Sequence, residues 1–255
     1  MSEFVYLQRS RDSGVEHLVL NRPEVRNALN EESIAEITAW AHSVATDDQL
    51  RAVVMSGAGP SFCAGADLNW MKKMAEYTQE ENLRDARAAA AMFASIDKLP
   101  VPVIAQIHGA ALGGGAGLAA VADVAVAADD TTFGFTEVKL GLIPAVIAPY
   151  VLAKIGQSAA RELFVTGRRF DAAYARDIGL VHAVVPAGDL DDRVNKYLIE
   201  LATNGPEAMS AAKALLRKIA DLPIADAAPI TAKAIAERRV SDEAQKVMKV
   251  FLRRT

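Results

Sequence analysis

One cysteine, Cys63, stands in 255 residues, so no disulfide can close within the chain and nothing points to an oxidising compartment. Long apolar runs are also missing. The least polar stretch, residues 109–128, is broken by five glycines and Asp123, and glycine with a central aspartate makes a poor membrane span. The first eleven residues have no apolar core of signal-peptide type. There is no basic surplus: 28 Lys and Arg face 32 Asp and Glu, for a net charge of −4, which argues against nucleic acid as a general partner. His17, His42, His108 and His182 are scattered without metal-ligand spacing. No serine sits in a G-x-S-x-G elbow. The dinucleotide fingerprint fails because Gly113 and Gly115 require glycine at 118 and meet Leu118, and no Lys-Ser or Lys-Thr pair follows the glycines to make a P-loop. These absences lead us to expect a soluble, cytoplasmic protein with no metal, no resident cofactor, no membrane and no nucleic-acid partner.

What is present is ordinary globular material, 51% hydrophobic and 24% charged, enough for one large domain or one domain with a helical appendage. Short apolar segments end in Gly or Pro and alternate with helical periodicity. Val15–Leu20, residues 53–55, Val103–Ile107, residues 122–128 and residues 180–185 read as strands. Asn30 with Glu31 and Glu32 opens a helix continued by Ile34, Ile37, Ala41 and Val44, and residues 80–98 form another before Pro100 and Pro102. The alternation predicts an α/β core of mostly parallel strands. From Gly205-Pro206 onward only helices are expected, near 206–219, 224–238 and 241–254, which sets a division into a core of residues 1–195 and a helical region of residues 196–255.

Two glycine-bearing loops follow buried strands. In Ser61-Phe62-Cys63-Ala64-Gly65-Ala66-Asp67-Leu68 the small residues allow a ligand to lie against the backbone, although a plain strand-to-helix turn has the same look. In His108-Gly109-Ala110-Ala111-Leu112-Gly113-Gly114-Gly115 three consecutive glycines open a helix and expose unpaired N–H groups at its positive end, suited to an anionic oxygen. Close helix packing would use the same residues. Glu137 stands among apolar neighbours in Phe133–Pro144, where a raised pKa would let it exchange protons near neutral pH. Pairing with Lys139 is the bland alternative.

Taken in order, these segments resemble the crotonase, or enoyl-CoA hydratase/isomerase, superfamily. The resemblance rests on Asn21-Arg22-Pro23 with Asn27-Ala28-Leu29, Phe62–Leu68, Gly109–Gly115 with Asp123, Glu137 with Gly141 and Pro144, Thr166–Phe170, and Ala175–Val181. It implies a spiral of repeated ββα units with a C-terminal helical region for trimerisation, assembled as a homotrimer or a dimer of trimers. It implies an acyl-CoA thioester as substrate, with coenzyme A belonging to that substrate. The oxyanion hole falls on the backbone N–H groups of Ala64 and Gly114 and the catalytic carboxylate on Glu137. The substrate and coenzyme A contacts fall on Arg26, Ala64, Gly65, Ala66, Asp67, Leu68, Gly113, Gly114 and Gly117. Trp70, Met71 and Met74 are candidates for the acyl pocket.

One position departs from the pattern. Hydratases of this family carry two glutamates around the catalytic water, and the first falls on Gly117. Three readings follow. The chain is a hydratase, similar around Glu137 to hydratases of branched or carboxylated substrates such as 3-methylglutaconyl-CoA, with a substrate carboxylate holding water in the space left at Gly117. Alternatively it is a Δ3-Δ2 enoyl-CoA isomerase that needs one carboxylate and no water, or a family member that binds acyl-CoA without turnover.

Overall fold

The computed structural model describes residues 4–253. In chain order the strands and helices are β1 (Leu7–Asp12), β2 (Val15–Leu20), α1 (Glu31–Val44), β3 (Ala52–Gly57), α2 (Leu68–Met74), α3 (Gln79–Asp97), β4 (Val103–Ile107), β5 (Ala110–Leu112), α4 (Gly114–Val121), β6 (Val124–Ala128), β7 (Thr132–Gly134), α5 (Ala148–Thr166), β8 (Arg169–Asp171), α6 (Ala172–Asp177), β9 (Ala183–Val185), α7 (Leu190–Ala202), α8 (Pro206–Ile219), α9 (Ile224–Arg239) and α10 (Asp242–Leu252). Six strands form the main sheet in the order β1-β2-β3-β4-β6-β9, and β5-β7-β8 form a second, smaller sheet. From β2 onward the main sheet is parallel, as the buried apolar strands require.

The chain winds as a spiral. Each turn places one strand in the main sheet, crosses to a second layer, and then enters a helix. β4 leads through β5 into α4, and β6 leads through β7 towards α5, with β5 and β7 paired in parallel. The earlier turns do the same with single bridges: Leu29, after β2, pairs with Ala66, after β3, and Cys63 pairs with Ala111 of β5. The second layer therefore stacks turn upon turn, and it ends in helix N-termini. Asn30 caps α1 by accepting from Ser33 N, and Asp67 caps α2 by accepting from Asn69 N and Trp70 N. Between the layers lies a core containing Phe62, Phe133, Phe135, Met55 and Ile107, all fully buried.

The expected strands and helices are present with shifts of a few residues. The short strands of the second layer, β1, α5, α6 and α7 were not anticipated. β1 is polar and exposed after Leu7; it is held by pairing with β2 and by Arg9 and Arg11, which both bond the buried Glu16. Position 195 falls inside α7, whose buried Leu190 and Val194 pack with Val54, Ile104 and Val126 of the sheet. The chain breaks helicity after Ala202 and resumes at Pro206. No side chain of α8, α9 or α10 is buried among the described residues, and Arg254 at the end of the last expected helix lies outside them. No described helix is long and apolar enough to cross a membrane.

Candidate active site

The loop after β3 is built around an inversion at Gly65. Leu29 N–H donates to the Gly65 carbonyl at 2.7 Å, and Asp67 N–H donates to the Leu29 carbonyl at 2.8 Å. In a parallel bridge of this kind the residue between the two partners directs its own N–H away from the neighbouring strand. That residue is Ala66. Gly65 has φ +99°, and a Cβ there would stand 3.0 Å from the Leu112 carbonyl oxygen, so both the turn and the close approach require glycine. Ala66 is exposed, lines the cavity described below, and its N–H has no protein acceptor among the described residues.

This corrects the assignment of Ala64. Its N–H donates to the Arg26 carbonyl at 2.9 Å and is unavailable to a ligand. The sequence places the loop correctly and the amide two residues too early, because the reversal at Gly65 exchanges inward and outward N–H groups and leaves no trace in composition.

The second donor comes from the next turn of the spiral. Gly113 N–H is committed to the Gly134 carbonyl at 2.8 Å, while Gly114, the first residue of α4, has no upstream intrahelical acceptor. A Cβ on Gly114 would meet Leu29 Cδ1 at 2.9 Å, so Leu29 is packed against both the Ala66 segment and the α4 N-terminus. Gly114 and Ala66 line the same cavity.

Glu137 begins a short 3-10 turn, Glu137–Leu140, closed by Gly141. A Cβ on Gly113 would stand 3.0 Å from its Oε1. Its Oε2 is buried without a hydrogen-bond partner, an arrangement that calls for a ligand or water. Burial raises the carboxyl pKa above its ordinary value, while its own backbone N–H offsets part of the rise. Lys139 is exposed, and among the described residues no ion pair joins it to Glu137.

The cavity has a volume of about 620 Å³ and is mostly apolar, walled by Trp70, Met74, Met92, Phe93, Val146 and Ile147. Its ionisable side chains are Glu137 and Asp85. Asp85 accepts from Trp70 Nε1 at 3.1 Å, and burial raises its pKa, partly offset by that bond. Met71, proposed with Trp70 and Met74 for the acyl pocket, does not line this cavity.

Gly117 does not reach the cavity either. A Cβ there would lie 2.3 Å from Ile147 Cγ2 and 3.0 Å from Phe93 Cε1. The space expected at this position is filled by Ile147, so Gly117 is corrected from a substrate contact to a packing residue. Asp67 is also turned away: it is buried, capping α2 with one oxygen and pairing with Arg22 through the other at 2.8 Å. Leu68 is 74% exposed beside this loop, and Arg26 is exposed with its carbonyl fixed under Ala64. Cys63 is fully buried and its thiol is pushed up to about 12, so it is no nucleophile. Arg22, Asp85 and Ile147 were not read from the sequence as site residues. Arg22 was visible only as part of a motif, and the other two carry no local signal.

The spiral with its site at the ends of the second layer is the crotonase fold. The structure superposes on the crystal structure of an enoyl-CoA hydratase from Shewanella pealeana with a TM-score of 0.95 and 37% identity, covering 99% of this chain and 95% of that one. The enoyl-CoA isomerase/hydratase of Mycosarcoma maydis is 35% identical over 84% of this chain and 80% of its own length. The peroxisomal Delta(3,5)-Delta(2,4)-dienoyl-CoA isomerase of Arabidopsis thaliana is 30% identical over 86% and 82%. A model of the enoyl-CoA hydratase/isomerase family matches residues 10–255. The chain belongs to that family.

Proposed function

We propose that the protein hydrates a 2-enoyl-CoA thioester, reversibly, with Glu137 as the proton carrier. The carrying observation is that the buried, unpartnered Oε2 of Glu137 shares one apolar cavity with the free N–H groups of Ala66 and Gly114. The thioester oxygen accepts from both amides. Each such donor contributes roughly 3 kcal/mol to stabilising the enolate. A water held on Glu137 adds its oxygen to C3, and Glu137 passes a proton to C2, so the elements of water cross the double bond with no other reactant. Binding energy from coenzyme A, part of the substrate, holds the acyl group in register.

The substrate class this cavity favours is an enoyl chain that is apolar or branched. No Lys or Arg lines it among the described residues, so a carboxylated chain of the 3-methylglutaconyl type would place its acid against Asn82 or the Asp85 carboxyl. Ile147 fills the space at Gly117, which excludes a substrate carboxylate holding water there. The same apolar wall favours a second reading, Δ3-Δ2 isomerisation, in which Glu137 alone moves a proton between C4 and C2. The exposed Ile224, Ile235, Val240, Val250 and Phe251 of the C-terminal helices support assembly with further copies.

Mass spectrometry in heavy-oxygen water tests the reading. Label in a 3-hydroxyacyl product supports hydration, and a shifted double bond without label supports isomerisation. No turnover of a broad panel of straight, branched and carboxylated enoyl esters overturns both in favour of a binding role.

A further inference from the structure

The Arg22 guanidinium is clamped across the bridge that aims the Ala66 amide. Its Nη1 donates to the Ala28 carbonyl and its Nη2 to Asp67 Oδ2 at 2.8 Å. Ala28 and Asp67 are the neighbours of Leu29 and Ala66, the two bridged residues. One planar fork therefore ties together the two strands whose spacing sets the direction of the Ala66 N–H. The geometry suits Arg, since five fixed donors can hold two acceptors at once where an ammonium acts as a point charge.

The clamp is itself immobilised. Arg22 is 12% exposed and Asp67 5%; the guanidinium carbon lies 5.0 Å from the centroid of the Tyr6 ring, and Arg22 N–H donates to Asn27 Oδ1 at 2.8 Å. Asp67 Oδ1 is meanwhile held by the first turn of α2. A pair serving only stability has no need to straddle the bridge. Here both contacts fall one residue from it, and only backbone fixes the donor, since an amide has no side chain of its own to orient it.

We infer that Arg22 is a positioning residue for the oxyanion site, holding the Ala66 N–H on the thioester oxygen through the Ala28 carbonyl and Asp67. The inference rests on Ala66 and Gly114 being the oxyanion donors. Arg22 does not line the cavity, so its loss acts on polarisation of the carbonyl through the backbone and removes no side chain that faces the acyl group. Full removal of one oxyanion donor costs about 10²-fold to 10³-fold in kcat, and a misaligned donor forfeits part of that.

The test reads polarisation directly. A chromophoric enoyl thioester, 4-dimethylaminocinnamoyl-CoA, is bound to wild type and to Arg22→Met, Arg22→Lys and Asp67→Asn, and its absorption maximum is recorded together with its Kd, the Kd of free coenzyme A and kcat on a turned-over ester. The wild type is expected to shift the chromophore to the red. Arg22→Met is expected to lose at least half of that shift and at least tenfold in kcat, with both Kd values within threefold. Arg22→Lys is expected to restore less than half of the loss. If Arg22→Met does not fold, Asp67→Asn decides, because Asn retains the α2 cap and removes the charged partner. Full shift and full kcat in a folded Arg22→Met or Asp67→Asn overturn the role of Arg22. No red shift in the wild type overturns the oxyanion assignment instead.

Discussion

Ile147 occupies the place where a side chain on Gly117 would begin: its Cγ2 lies 2.3 Å from the position of a Cβ there. The two residues come from α4 and from the turn before α5; Ile147 lines the cavity with Glu137, and Gly117 packs behind it. The position where the resemblance places a first glutamate is thus filled by an apolar side chain from another segment. Gly117→Glu alone is expected to overpack this wall, destabilising by about 1–3 kcal/mol, and to lower turnover. Gly117→Glu with Ile147→Ala is expected to recover melting temperature and to raise the hydration rate above the single variant. Equal melting temperatures and rates for the single and double variants would remove the coupling.

The pH dependence of Glu137 follows from burial, which raises its pKa above 4.5. Proton abstraction from C2 requires the ionised form. Exchange of that proton with deuterated solvent is therefore expected to fall as pH drops through a midpoint above the ordinary carboxylate value, and Glu137→Gln to abolish exchange while coenzyme A binding survives. Stability has the opposite sign: a raised native pKa means that stability declines as pH rises between the unfolded and native values. Glu137→Gln is expected to melt higher than wild type at neutral pH, with the difference vanishing in acid. A flat exchange profile, or unchanged exchange in the Gln variant, removes Glu137 from the scheme.

Much of this architecture was legible before any coordinates. The central strands β3, β4 and β6 announce themselves as apolar runs because they are buried on both faces, and α1 and α3 by period and cap. The loops at residues 61–68 and 109–117 were visible as glycine-bearing segments after strands. The second layer was not. β5, β7 and β8 are three residues each, too short to carry a period, and the bridges at Leu29 and Cys63 are single pairs. The free amide of this loop lies at 66 and not at 64 because N–H direction depends on the φ of Gly65, which composition does not show. Asp85 and Ile147 come from segments distant in sequence and meet only in the fold.

Asp85 offers a specificity test. It lies two helical turns before Phe93 on α3, about 12 Å along the axis, with one oxygen on Trp70 Nε1. A saturated chain that reaches it must desolvate a carboxyl without repayment by hydrogen bonding. In wild type, kcat/KM is expected to rise with chain length and then drop at the length that meets Asp85. Asp85→Leu is expected to abolish the drop, improving the longest esters about tenfold, in the range of one or two methylenes in a pocket. Asp85→Asn, which can still accept from Trp70, is expected to be intermediate. Identical chain-length profiles for all three proteins would show that Asp85 serves only to satisfy Trp70.

The sharpest check of the oxyanion geometry replaces single backbone amides by esters, introducing the hydroxy-acid analogue of alanine at 64 or at 66. Each exchange removes one N–H and leaves the Cβ unchanged. At 64 the lost group is the donor to the Arg26 carbonyl, a structural bond, so the cost is expected to be about 1 kcal/mol in stability with kcat near wild type. At 66 the lost group is free in the folded chain and faces the cavity, so stability is expected to hold while kcat falls about 10²-fold to 10³-fold. Because each ester also weakens the preceding carbonyl as an acceptor, position 66 perturbs the Leu29 contact to Gly65, and a melting curve measures that share. A fall in kcat at 64 with none at 66 would return the oxyanion role to Ala64 and would require the loop to reverse at Gly65 when the thioester binds.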